Sequence, residues 1–175
     1  MRIKLLIFTV LTGAVFLSFI NGSPEPREGL EVGNKIPAID QSLLDGSSFS
    51  TDSLKGKMVL LDFWASFDAQ SRVENPKKKE ILEKYRNQSF LNGEDFVIVS
   101  ISLDRFKSPL YQVIERDNLH ELHHICTFEG RNSEIAKTFN TTNEMTNYLV
   151  DGDGRIVAVT DNIQSIENKL AGLTK

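Results

Sequence analysis

The 175-residue sequence predicts one α/β domain, a mixed central β-sheet flanked by helices and preceded by an N-terminal β-hairpin. Three observations predict it. Met58 to Trp64 is a continuous apolar run broken only by Asp62, the pattern of a strand covered on both faces. Beyond it, strand-like and helix-like segments alternate, as in sheets built through helical connections. Near the end, Asp151-Gly152-Asp153-Gly154 separates two strand-like runs and marks a tight turn between antiparallel strands.

Taken in order, Arg2 and Lys4 precede an uncharged apolar run from Leu5 to Ile20, followed by small and turn-prone residues at 21–24. Residues 1–22 therefore read as an export signal or N-terminal anchor. The apolar run, residues 5–20, falls short of the roughly 20 residues that cross a bilayer as a helix, which favours cleavage over anchoring. No cysteine stands near its end to carry a lipid. Residues 23–32 are rich in Pro, Glu, Gly and Arg without periodicity and read as an extended linker, which leaves 33–175 as the domain. Short apolar pieces between Ile36 and Leu54 flank Asp45-Gly46, a hairpin signal.

Met58 to Trp64 is the central-strand candidate, and Ser71 to Arg86 an amphipathic helix that Pro76 is expected to kink. Phe96 to Leu103 is the next strand. A helix is expected from Pro109 to about Asn118, a short strand from His124 to Phe128, and a helical turn from Ser133 to Phe139. Thr146 to Val150 and Arg155 to Thr160 form the closing hairpin, and Ile163 to Leu173 a final amphipathic helix.

Composition narrows the partners. Hydrophobic residues make up 40% and charged residues 25%, so the body should fold. Removing Arg2 and Lys4 from the 20 basic side chains leaves 18 against 24 acidic ones, a formal charge of −6 where the whole chain has −4. Phosphate backbones are repelled by such a surface, which argues against nucleic acid. The one basic run, Lys77 to Lys79, reads as the solvated face of a helix. Export leads to compartments where paired cysteines are common, yet the chain has only Cys126 and no intramolecular disulfide is open to it.

Leu61-Asp62-Phe63-Trp64-Ala65-Ser66-Phe67-Asp68-Ala69-Gln70-Ser71-Arg72 resembles the active-site segment of the envelope thioredoxin-like thiol-disulfide oxidoreductases. These are of the TlpA and ResA type, within the redoxin and AhpC-TSA-like group, and carry F-W-A-S-W-C-x-x-C-R at this place. The resemblance extends to Gly33 and Pro37, to Gly56-Lys57, to Pro76, and to Tyr148-Leu149-Val150-Asp151 with Gly154-Arg155-Ile156. It implies a thioredoxin-like fold from about residue 30 onward and a place in the periplasm or cell envelope, with membrane contact only through the N-terminal segment.

The departures fall where the family's chemistry resides. Asp68-Ala69-Gln70-Ser71 replaces the CxxC, and neither Asp68 nor Ser71 supplies the sulfur that a mixed disulfide needs as nucleophile and leaving group. Met145 stands where the family has a cis-proline. A non-proline cis bond costs about 2.5–4 kcal/mol, so Glu144–Met145 is expected to be trans. Asp62 matches the family's buried proton-accepting carboxylate, with no thiol left to serve. The reading is a non-catalytic homologue without a cofactor. By resemblance its old cleft, lined by Trp64, Phe67, Asp68, Glu144 and Met145, would hold an extended peptide or an envelope protein.

Several residues have plainer roles open to them. Asp68 suits a helix N-cap, against a hydrolytic or cation-binding site with Ser71 and Asp62 for which no basic partner is apparent. Trp64 and Phe67 suit core and rim packing. Asp62 must be protonated or paired with a lysine, Lys57 being the candidate by resemblance. Cys126 reads as an inert core thiol, the alternative being the nucleophile of a thiol oxidoreductase or peroxidase. His120-Glu121-Leu122-His123-His124 matches the zinc-hydrolase spacing H-E-x-x-H, but that motif needs one continuous helix, and here the chain runs into a predicted strand.

Overall fold

The computed structural model describes residues 26–175, so the export or anchor segment expected at 1–22 lies outside the described residues. Among these, no helix is long and apolar enough to cross a membrane. The elements are β1 (Asp40–Ser42), β2 (Ser48–Ser50), β3 (Lys57–Trp64), α1 (Ala69–Tyr85), β4 (Ser89–Phe90), β5 (Gly93–Ser102) and α2 (Lys107–Arg116). They continue with β6 (His123–Ile125), α3 (Glu134–Thr138), β7 (Asn147–Val150), β8 (Ile156–Thr160) and α4 (Ile163–Leu173). β1 and β2 form the separate N-terminal hairpin expected around Asp45-Gly46.

In the main sheet β3 lies between β5, which is parallel to it, and β7, which is antiparallel. β8 continues beyond β7, while β4 and β6 share the other edge of β5 at its two ends. The pleat of β3 divides its side chains between two cores. Met58, Leu60 and Trp64 join Ile81, Leu82, Leu110 and Ile166 beneath α1, α2 and α4. Val59, Leu61 and Phe63 join Phe49, Ile135, Phe139 and Tyr148 on the opposite face. The same alternation assigns Asp62 to the α1 side, where an ion must find a partner.

The structure departs from the sequence reading in several places. α1 runs unbroken through Pro76, although that residue has no N–H to offer the Arg72 carbonyl. α2 begins at Lys107, upstream of Pro109, because a proline in the first turn lacks only an N–H that would be orphaned anyway. β6 stops at Ile125, short of the expected Phe128, which turns the chain in the left-handed region with a φ of 60°. The expected linker, from residue 26 on, folds back instead of running extended. Lys35 N–H bonds the Arg27 carbonyl at 2.9 Å, and Gly33 N–H bonds the Ile156 carbonyl at 2.8 Å. Gly33 permits the reversal with a φ of 94°.

α4 is held on α1 by a three-membered ion cluster. Glu167 accepts from Lys77 and Lys84, each at 2.9 Å. The Lys84 hydrogen bond, and after it that of Lys77, lower the Glu167 carboxyl from 4.5 to about 2. A depressed folded-state pKa contributes stability that is present above the unfolded value and lost as pH falls through the folded one. Glu167→Gln is thus expected to cost about 1 kcal/mol at pH 7, the scale of a surface ion network. In thermal melts the gap between the two proteins should close as pH falls from about 4.5 through about 2.

Candidate functional site

The site forms where β3 gives way to α1. Asp104, 1% exposed, anchors this turn from the end of β5. Its carboxylate accepts Ser66 N–H at 2.8 Å, the Ser66 hydroxyl, and the Ser102 hydroxyl at 2.7 Å. Asp68 then takes an extended conformation and caps α1, with Oδ2 accepting Ser71 N–H at 2.8 Å. A carboxylate here satisfies an orphan donor and meets the positive end of the helix dipole. The Ser71 hydroxyl accepts from Ala65 N–H at 3.4 Å and points at Met145 Sδ, 3.5 Å away.

The facing wall is the segment that leads into β7. Arg131 donates to the Thr142 and Asn143 carbonyls at 2.8 and 2.7 Å, and Asn147 Oδ1 accepts Phe63 N–H at 3.1 Å. No cis peptide occurs among the described residues, so Glu144–Met145 is trans as expected. Between the walls lies a cleft of about 230 Å³ bordered by Asp62, Asp68, Ser71, Glu144, Met145 and Asp161, among others. Asp68, Glu144 and Met145 are among the residues that line it.

Trp64 does not. The pleat carries it under α1, where it is 0% exposed, while Phe67 projects from the rim at 66% exposure and does not line the cleft.

Asp62, at the cleft floor, is paired with a lysine, but not with Lys57. Lys78 Nζ is 2.8 Å from Asp62 Oδ1, both side chains being almost wholly buried. The approach is close in distance but off the angle of a hydrogen bond, and neither carboxylate oxygen has a conventional donor. Lys78 also approaches Asn75 Oδ1 at 3.4 Å and stands 5.6 Å from the centre of the Trp64 ring. Lys57 instead pairs with Asp95 at 2.9 Å, at the opposite end of β3. The run Lys77 to Lys79 is thus no uniform solvated face, because its middle residue turns inward.

The remaining candidates lie elsewhere. Cys126 is half-buried just past β6, its Sγ donating towards the Asp104 carbonyl at 3.5 Å, and burial pushes its thiol pKa up. A raised thiol pKa lowers the share of thiolate, the form that acts as a nucleophile. The H-E-x-x-H residues are not on a helix. His120 is exposed in a turn 3.2 Å from Glu115, whereas His124 is buried in β6 with Nε2 2.8 Å from the Leu119 carbonyl. Among the described residues no group of three or more His, Cys, Asp or Glu side chains converges as a metal site.

Sequence reasoning missed Lys78, Asp104 and Arg131. Only Lys78 carried a usable signal, its seven-residue spacing from Ser71 along one helix face.

Known proteins resemble this chain in sequence and in fold. The Redoxin family model matches residues 31–171. Thiol-disulfide oxidoreductase ResA of Bacillus cereus is 23% identical over 154 residues, covering 88% of this chain and 83% of that protein. Among solved structures, a thiol-disulfide oxidoreductase from Bacteroides fragilis superposes with a TM-score of 0.69 at 25% identity, covering 79% of this chain and 98% of that one. The thioredoxin domain of a thiol-disulfide oxidoreductase from Bacteroides vulgatus gives 0.67 at 25% identity, covering 81% and 99%. The fold is thioredoxin-like, and with a family model spanning nearly the whole described domain, the chain belongs to the Redoxin family.

Proposed function

We propose that this chain is an exported, redox-inactive member of its family that uses the cleft at the start of α1 to hold an extended peptide without covalent chemistry. The observation that carries the reading is an open cleft whose two cysteine positions hold Asp68 and Ser71, with Asp68 engaged as a helix cap. Export rests on residues 1–22, whose charged start and apolar run fit a signal for the periplasm or cell envelope. Asp68, Glu144 and Asp161 have no ion-pair partner among the described residues, which favours basic over acidic peptides at this cleft.

The test has two arms. In an insulin-reduction assay with dithiothreitol the protein is expected to add nothing to the background rate. In NMR titrations a short extended peptide containing lysine and arginine is expected to shift the resonances of Asp68, Ser71 and Met145, and an acidic peptide of equal length to leave them in place. Reduction at the rate of an ordinary thioredoxin, abolished by Cys126→Ser, would overturn the proposal in favour of a working thiol enzyme.

A further inference from the structure

Among the described residues, the buried side-chain nitrogens and oxygens without a hydrogen-bond partner are Asp62 Oδ1 and Oδ2, Trp64 Nε1, Ser100 Oγ and His124 Nδ1. Such atoms are rare in native proteins, and each needs an explanation. Here they are not scattered. Asp62 on β3 is in register with Ser100 on β5, and Ser100 is in register with His124 on β6. Register partners place their side chains on one face, and Trp64, two residues along β3 from Asp62, shares that face. At about 4.8 Å per strand the row from Asp62 to His124 is about 10 Å long. It runs beneath α1 and α2 and is deeply buried, Asp62 and Ser100 being 1% exposed, Trp64 0% and His124 8%.

The hydrogen-bonding capacities of these atoms say what would satisfy them. The Leu119 carbonyl can only accept, so His124 Nε2, 2.8 Å from it, carries the proton and Nδ1 is a bare acceptor. Burial lowers the His124 pKa, which is consistent with a neutral ring. The Asp62 oxygens are acceptors, the Trp64 indole is a donor only, and the Ser100 hydroxyl serves as either. Acceptors therefore outnumber donors along the row, even with the Lys78 ammonium beside Asp62 Oδ1. An anion would worsen that imbalance. Water can donate to the carboxylate and to His124 Nδ1 and still accept from the Trp64 indole, so it can serve every member of the row.

We infer that Asp62, Trp64, Ser100 and His124 form a built internal water site, in which ordered water molecules link the carboxylate at the cleft floor to the imidazole on β6. The two ends border different openings. Asp62 lines the cleft described above, and His124 lines a groove of about 700 Å³ between α2 and the β1–β2 hairpin loop. The row thus joins two surfaces of the molecule through hydrogen bonds that cross β5, independently of any ligand in the cleft.

Trp64 is the only tryptophan in the chain, so its indole N–H resonance is assigned without ambiguity. In ¹⁵N-labelled protein at a fixed neutral pH, a water-selective NOE experiment is expected to give a cross-peak between long-lived water and Trp64 Nε1–H. Ser100→Ala is expected to shift the His124 Nδ1 nitrogen resonance and to lower Tm by a few degrees, because the water loses a partner. An indole N–H with no water contact would overturn the inference without recourse to any variant. So would a higher Tm in Ser100→Ala with the His124 resonance unmoved, the result for a dry hydroxyl relieved of its orphan status.

Discussion

Replacing Lys78 with methionine is expected to lower the free energy of unfolding by about 3–5 kcal/mol, the range for removing one partner of a buried ion pair. Methionine keeps most of the lysine's volume, so a cavity would contribute little. The penalty arises because Asp62 stays almost wholly buried with its cation gone. Breaking the pair and replacing the pair are different operations. Asp62→Leu combined with Lys78→Met removes both charges, and apolar replacement of a buried pair is often neutral or stabilising. Urea unfolding of the parent, both single variants and the double variant tests this. A Lys78→Met cost below about 1 kcal/mol would show that the pair contributes no more than a surface one.

Asp68→Cys combined with Ser71→Cys is expected to convert a background-level protein into a measurable disulfide reductase. The two positions are the N-cap and third residue of α1, so the helix N-terminus would favour a thiolate at residue 68. Losing the Asp68 cap costs about 1 kcal/mol. Met145 remains an obstacle, because its sulfur already lies 3.5 Å from the Ser71 hydroxyl, where the second thiol would be placed. Adding Met145→Pro should therefore raise the rate further. The readouts are insulin turbidity with dithiothreitol and mass spectrometry of the oxidised protein. A 68–71 disulfide that forms but reduces nothing, with or without Met145→Pro, would mean that the facing wall no longer admits a disulfide substrate.

Residues whose role depends on their immediate neighbours were legible in the sequence. The Asp68 cap follows from a local preference at the start of a helix, and the closing hairpin from the turn at 151–154. β4 was not legible, since two residues carry no period. Lys78 was hidden for a different reason. A charged run reads as surface unless the helix is phased from a residue known to face inward. Steps of three and four from Ser71 reach Glu74, Asn75, Lys78, Ile81, Leu82 and Tyr85, which are the buried residues of α1. Half of that stripe is polar, so hydrophobic periodicity alone gives a weak phase. The pleat of β3 already places Trp64 beside Asp62 and beneath α1, whereas resemblance alone assigned it to the cleft.

The Asp104 anchor has a consequence for how this segment tolerates change. In an oxidised CxxC protein the bond between the sulfurs can itself brace the loop that bears them. Here the bracing comes from a neighbouring strand and grips Ser66, upstream of the residues that were exchanged. The turn is thereby held from outside the exchanged positions as well as by the Asp68 cap and the Ser71 hydroxyl. Positions 68 and 71 can be rewritten while the scaffold presenting them holds its form, and that form does not depend on the redox poise of the surroundings.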